Sequence, residues 1–357
     1  MPFFSVLIVN YNGGEFLAGA LKSLEQQTFR DFEVILVDNN STDGSIDRLD
    51  TAGLPHFTLL AQSENLGFAG GNNLAAKSAR GKWLALLNPD AEAEPDWLEK
   101  VAQATAQFPE CVHFACAQYT LGHPERLDGA GDSYLIFGIP WRGGYGLPSS
   151  VLPARGLCFS PCGASAIIRA DMFRQYNGFD ERLFCYCEDV DLGFRMQLAG
   201  HPCVFLPEAI IHHAGGGLSD KVSNFATFHG TRNRIWVYWK NMPPLMLALT
   251  LPGHVAISLY LLMRGFMRRN QETTWKGMSA GVRGAAAMRA PGSSWAPPKR
   301  TVSLWQLART MAWNPFRISH RFPHVRPLSA LPHTAGAESA TDQEARGSSP
   351  GTNASTS

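Results

Sequence analysis

The first hundred residues alternate short β-branched runs with amphipathic stretches, and acids stand at or just beyond the ends of two of the runs. FSVLIV (4–9), EVILVD (33–38), FTLLA (57–61) and WLALLN (83–88) read as buried strands, EFLAGALKSLEQQ (15–27) as an amphipathic helix and residues 73–79 as part of another. This βαβα alternation predicts a parallel, doubly wound α/β sheet whose ligands bind beyond the strand carboxyl ends. Asp38 and Asp90 stand at two of those ends. Further along, ASAIIRADMF (164–173) reads as a strand entering a helix, and residues 110–180, rich in Gly and Pro, give weaker signals.

A chain of 357 residues with 45% hydrophobic composition can bury one large domain with additions, or two domains. Its seven cysteines are an odd number, and their spacings fit neither a disulfide framework nor paired CxxC zinc ligands, so free thiols in a reducing compartment are expected. The N-terminal MPFFSVLIVNYNGG lacks a basic leader region and a small-residue cleavage site. No signal peptide is expected, and the active site is expected to be cytoplasmic.

The net charge of +1 hides an asymmetry. Residues 236–328 carry thirteen Lys or Arg against one acid, Glu272, together with six of the nine tryptophans, a pattern suited to an anionic bilayer surface rather than to nucleic acid. A packing subdomain or dimer interface is the alternative. Within this region PPLMLALTLPGHVAISLYLLM (243–263) is long enough to cross a bilayer, but Pro252, Gly253 and His254 fall at its middle. A re-entrant or interfacial helix pair is expected in preference to a span. Residues 329–357 lack aromatic residues and read as a disordered tail.

Several short motifs carry chemistry. Asp38 could accept hydrogen bonds from a base or ribose, with the Tyr11 ring beside it, although DNNS is also ordinary turn chemistry, and Asp43 could cap a short helix through Leu49. NLGFAGGNN (65–73) looks like a glycine-rich loop opening a helix but does not satisfy G-x-G-x-x-G, so close backbone approach to a phosphate or ribose competes with tight packing. In LLNPDAE (86–92), Asp90 could hold a hard divalent cation on a diphosphate or merely start the next helix. RLFCYCEDVDLGFR (182–195) crowds Glu188, Asp189 and Asp191 together, which fits a general base or a cation-facing site, with Asp191 read as the N-cap of the helix that ends at Gly200. The strand-like CVFLPEAII leads into His212 and His213, placing a histidine at another strand end.

Taken in order, VNYNGG (9–14), VDNNSTDGS (37–45), NLGFAGGNN, LLNPDAE, GFDERLFCYCEDVDLGFR (178–195) and PEAIIHHAGG (207–216) make the chain resemble the inverting family 2 glycosyltransferases of the GT-A fold, especially their rhamnosyltransferase-like branch. The resemblance covers residues 4 to 235. It implies a mixed, mostly parallel nucleotide-diphospho-sugar transferase sheet in a 1–235 domain, a helical membrane-associating region at 236–328 and the 329–357 tail. It also implies donor contacts at Tyr11, Asp38, Asn65, Gly71 and Asn72, a Mg²⁺ or Mn²⁺ ion at Asp90 and His213, and Asp189 as catalytic base. Glu188 and Asp191 would support the base or meet the acceptor. Two features depart from the family pattern: NPD has one acid where a DxD motif has two, and Cys185 and Cys187 stand where aromatic or apolar residues are usual.

The implied reaction moves a sugar, rhamnose first among the candidates, from a nucleoside-diphosphate donor to a saccharide or polyprenyl-linked acceptor at the inner face of the cell membrane. A homodimer remains open as a further association, and an inactive sugar-nucleotide or membrane-binding scaffold is the rival reading. A sugar-1-phosphate nucleotidyltransferase would need a G-x-G-T-R type loop after the first strand, which VNYNGG is not.

Overall fold

The computed structural model describes residues 1–215, 224–267, 270–290 and 292–331. Gly216 and Gly217 of the IIHHAGGG stretch, and residues 332–357 of the expected tail, lie outside the described residues.

The four expected strands form: β1 (Phe4–Asn10), then after helix α1 (Gly14–Glu25) β2 (Phe32–Asp38) and β3 (Phe57–Ala61), and after α2 (Gly67–Ser78) β4 (Trp83–Leu86). A short β5 (Ala91–Ala93) precedes α3 (Trp97–Gln107). The weakly signalled middle of the chain supplies β6 (His113–Thr120), β7 (His123–Ala130), the hairpin β8 (Asp132–Leu135) and β9 (Ile139–Arg142), β10 (Gly156–Cys158), β11 (Ala166–Arg169) and α4 (Ala170–Gln175). Next come α5 (Glu188–Leu198) and β12 (Cys203–His213), and the helices α6 (Asn224–Asn241), α7 (Pro244–Met267), α8 (Gln271–Met288), α9 (Leu304–Thr310) and α10 (Phe316–His320) complete the chain.

The main sheet runs β10-β12-β6-β11-β4-β1-β2-β3, with β5 added to β12 and β7 to β6. Its β4-β1-β2-β3 half is parallel, as continuous apolar strands joined by helices require. The other half is mixed: β11 runs against both neighbours, whereas β6 and β12 are parallel. Two apolar cores lie on the two faces of this sheet, and a third joins α5 and the β8–β9 hairpin to α6, α7 and α9 through Tyr134, Phe194, Tyr238, Met246 and Leu307.

Several expectations are corrected by local geometry. Asp191 is not a helix cap, because α5 already begins at Glu188 and puts Asp191 in its first turn. Asp43 starts no α-helix: its carboxylate accepts from Ser45 and from the amide of Gly14, and only a 3₁₀ turn at Ile46–Arg48 follows. NLGFAGGNN is no loop, since Gly67 is already helical and a Cβ on Gly71 would come within 2.6 Å of Val9 Cγ1. Residues 243–263 form no broken pair: all but Pro243 lie within the single helix α7, with Pro252 inside it.

One ionic knot fastens α6 to α5. Lys240, counted above among the surface cations, has a fully buried side chain, with its Nζ 2.7 Å from Asp180 Oδ2 and 2.9 Å from Asp191 Oδ2. Arg195 Nε donates to Asp191 at 3.0 Å, Asn241 Nδ2 donates to the other Asp191 oxygen at 2.7 Å, and Arg182 closes the far side of Asp180. Removing one member of such a network leaves an uncompensated charge away from water. Lys240→Met is therefore expected to destabilise the fold by about 3 kcal/mol or more, read as a lowered urea midpoint; an unchanged midpoint would show that the knot is dispensable.

Candidate active site

The parallel strands bring the expected donor-side residues to one end of the sheet. Asn10 and Asp38 are paired across β1 and β2, with Asn10 Nδ2 3.0 Å from Asp38 Oδ1. Ser41 donates to Asp38 through both its amide and its hydroxyl, at 3.1 and 2.5 Å. Tyr11 follows Asn10 directly and is 50% exposed, whereas Asp38 is buried. Asn65 Oδ1 accepts from the Gly67 amide at 2.8 Å, and Asn39 Nδ2 donates to the Gly67 carbonyl at 3.1 Å. Gly71 and Asn72 sit differently: both are on the buried face of α2, and Asn72 donates back to the Phe68 carbonyl. The structure gives these two a packing role.

A second cluster forms where β12 ends. His213 Nε2 lies 3.2 Å from Asp90 Oδ1 and 3.2 Å from the Asn88 amide nitrogen, and Nδ1 lies 2.7 Å from Asp128 Oδ2. His212 instead faces outward to Glu94, as alternation along a strand requires. Asp128 is in turn held by Arg142 at 2.5 Å. Burial opposes charge on Asp128, but Arg142 and His213 outweigh it and keep the carboxyl below its usual range. Burial likewise disfavours the imidazolium of His213, and the hydrogen bonds to Asp128 and Asp90 overcome it, raising the pKa to about 9.

The third cluster surrounds the expected base. Asp189 is partly buried; one oxygen accepts from the Gly163 amide at 2.7 Å and the other from the Val190 amide at 2.7 Å. Its carboxyl groups with those of Asp132 and the Cys162 thiol, their atoms within 4.8 Å of one another. Burial raises the pKa of Asp189, partly offset by those amides, and raises that of Asp132 well above the ordinary value, with the charge on Asp189 adding to the effect. Glu188 is buried, its Oε2 has no hydrogen-bond partner, and burial followed by the neighbouring Asp189 pushes its pKa well up. Asp191 belongs to the ionic knot and does not face this cluster's opening: its side chain is fully buried between Arg195 and Lys240. The Cys185 and Cys187 thiols are driven upward by burial, which keeps them as thiols rather than thiolate ligands.

The loop that presents Glu188 and Asp189 is strained. Phe184, Tyr186 and Cys187 have φ of 64°, 70° and 67°, a region that residues with a Cβ seldom enter. Asn233 of α6 holds this conformation by spreading one amide over the carbonyls of Leu183, Cys185 and Tyr186 at 2.7–2.9 Å. Sequence reasoning missed Asn233, Asp128, Asp132 and Arg142. The last three flank DGAGD and the hairpin, where two acids on either side of Gly-Ala-Gly were an available signal. Arg142 links the clusters: it pairs with Asp128, and the charges of Asp132 and Asp189 help hold its guanidinium in the charged form against the cost of burial.

Residues 5–174 match the family model described as "Glycosyl transferase family 2". That match spans a little under half of the chain. It is 28% identical over 310 residues to the N-acetylglucosaminyl-diphospho-decaprenol L-rhamnosyltransferase of Mycobacterium tuberculosis, covering 76% of this chain and 96% of that protein. It is 30% identical over 232 residues to an O-antigen biosynthesis protein of Myxococcus xanthus, covering 59% of this chain and 17% of that longer protein. Among solved structures, S. aureus TarS in complex with UDP-GlcNAc superimposes with a TM-score of 0.52 at 16% identity, over 80% of this chain and 92% of that one. The Pyrobaculum calidifontis mannosyltransferase with GDP-Man and Mn2+ gives 0.50 at 17%, over 80% of this chain and 76% of that one. These structural likenesses speak for the shared GT-A fold. The protein is a glycosyltransferase with a C-terminal helical extension.

The His213 pKa sets a pH dependence. It is higher in the folded chain than the ordinary value of 6.5, so the ring's contribution to stability is complete below about 6.5 and is lost as pH rises through about 9. In the presence of a chelator, the difference in melting temperature between wild type and His213→Gln is expected to shrink across that window. A difference that stays constant from acid to alkaline pH would contradict the ion-paired ring.

Proposed function

We propose that the protein transfers a sugar, with rhamnose the leading candidate, from a nucleoside-diphosphate donor to a hydroxyl of a lipid-linked saccharide, with inversion, at the cytoplasmic face of the membrane. The observation that carries the reading is Arg142, which pairs with Asp128 of the His213 cluster and stands opposite Asp132 of the Asp189 cluster in the β8–β9 register, so that both clusters border one residue. The likeness to a transferase named for rhamnose and a diphospho-decaprenol acceptor supports the choice of sugar and of lipid linkage. Residues 1–235 would form the transferase domain and 236–328 the membrane-associating region.

Tyr11 and Asp38 would receive the nucleoside, one by stacking and the other by accepting hydrogen bonds. A divalent cation fits the second cluster: Asp90 Oδ1 and His213 Nε2 converge at 3.2 Å, and Asn88 Oδ1 is buried there without a partner. Such an ion would offset the charge developing on the leaving diphosphate. Asp128, accepting from His213 Nδ1, fixes the ring so that Nε2 points at Asp90. Asp189 would take the proton of the acceptor hydroxyl as its oxygen attacks the anomeric carbon, while the bond from that carbon to the diphosphate breaks on the opposite side. The two amides on Asp189 aim the carboxylate, and its raised pKa improves it as a base. Glu188, buried one residue earlier, would hold the base in place.

Asp189→Asn keeps the shape and both heavy-atom positions but removes the base. Transfer, read as nucleoside diphosphate released from a panel of sugar nucleotides with a polyprenyl-linked acceptor, is expected to fall roughly 10²- to 10⁴-fold with donor binding retained. Undiminished turnover would dismiss Asp189 as the base, and a panel in which no donor turns over would dismiss the reaction itself.

A further inference from the structure

Helix α7 is built inside out. The face it turns toward the protein carries Thr250, His254 and Ser258, spaced four apart and each 6–7% exposed. Each is hydrogen-bonded: Thr250 to the Tyr238 hydroxyl at 2.8 Å, His254 to the Phe137 carbonyl at 2.8 Å and Ser258 from Arg234 at 3.0 Å. The His254 ring also stacks on Tyr238, with centroids 4.1 Å apart. The opposite face is apolar and open: Leu245, Leu249, Leu251, Val255, Leu259 and Met263 are 38–72% exposed. A helix on a water-facing surface carries the reverse pattern.

We propose that α7 lies flat in the interface of an anionic bilayer, its outer face among the acyl chains, and does not cross the membrane. Its 24 residues would reach about 36 Å, enough to span. The polar anchors forbid it. They run along about 12 Å of the helix and fasten it to Arg234 and Tyr238 of α6 and to the tip of the β8–β9 hairpin. An α7 standing across the bilayer would draw the buried Arg234 guanidinium into hydrocarbon with it.

Charge identifies the occupant. Arg264 lies in the last turn of α7, and the next helix, α8, exposes Arg283 and Lys276, the latter paired with Glu272, the one acid of the region. Trp275 on α8 and Phe316 on α10 are 59% and 76% exposed, and α10 shares with α7 the small cluster around Leu135, Ile139 and Trp141. A self-complementary dimer would bring two cationic rims together, whereas an anionic leaflet neutralises one. The proposal rests on the transfer reading only for which leaflet is met, and binding to lipid can be measured without any donor sugar.

Full-length protein should sediment with vesicles of phosphatidylethanolamine and phosphatidylglycerol and remain in solution with phosphatidylcholine alone. Leu249→Glu combined with Leu259→Glu, both on the open face, should lower the vesicle-bound fraction about tenfold with an unchanged melting temperature; if the pair melts early, Leu249→Glu alone serves. Nitroxides introduced in turn at positions 249, 255 and 263 through a keto amino acid should report one common depth. Depth that changes steadily from 249 to 263 would establish a span and overturn the proposal. So would a wild-type protein that ignores both vesicles, or one that forms dimers dispersed by the same two substitutions. Vesicle binding without donor turnover would overturn the transfer reading and leave this one standing.

Discussion

The setting of Glu188 and Asp189 hangs on an ammonium group that never meets water. Lys240 Nζ sits between Asp180 and Asp191, and Arg195 and Arg182 complete a five-member knot of alternating charge. Asp180 precedes the strained loop, Asp191 lies in the first turn of α5 and Lys240 lies near the end of α6. The knot therefore fixes α6 at the height where Asn233 reaches the three carbonyls of that loop. Backbone strain at Phe184, Tyr186 and Cys187 persists because the surroundings over-determine it, and its product is the direction in which Glu188 and Asp189 point.

The donor side is simpler in construction. Parallel strands of continuous β-branched residues end together, and the polar residues that follow them meet without a special device. The two sides are joined by Arg142, which lies opposite Asp132 at the open end of the hairpin and reaches Asp128 with its guanidinium. A single cation thereby stands between the acids of the two clusters.

This division explains what could be read from the chain beforehand. The parallel half was legible because burial on both faces writes itself as unbroken apolar runs, and acids at the ends of such runs stand out. His213 was told from His212 only through the family resemblance; in the structure strand alternation, which sends neighbours to opposite faces, accounts for the difference. In the β6–β11 region only β11 was legible, as the run ASAIIRADMF; the other strands lie in a stretch rich in glycine and proline, and β6, β10 and β11 each pair with partners distant in sequence. Asp191 was misplaced for a related reason. Nothing local distinguishes an acid that caps a helix from one whose partner, Lys240, lies 49 residues away. Gly71 and Asn72 resembled a phosphate loop because small residues serve close packing and ligand approach alike, and only the position of Val9 decides between them.

The β8–β9 hairpin has one end at the Asp132–Asp189 cluster and its tip clamped between α6 and α7. A Cβ on Gly138 would strike Tyr238 at 2.3 Å, and one on Gly253 would strike Phe137 at 2.5 Å. Its strands are four residues long, a rise of about 14 Å. On the proposal that α7 lies at the lipid boundary and that Asp189 is the base, this hairpin would be a spacer of fixed length between the two. A hydroxyl carried too close to its lipid, or too far out on a longer glycan, would miss the carboxylate. The enzyme would then measure its acceptor by height, and growth of the chain by one sugar would be enough to release the product from further turnover.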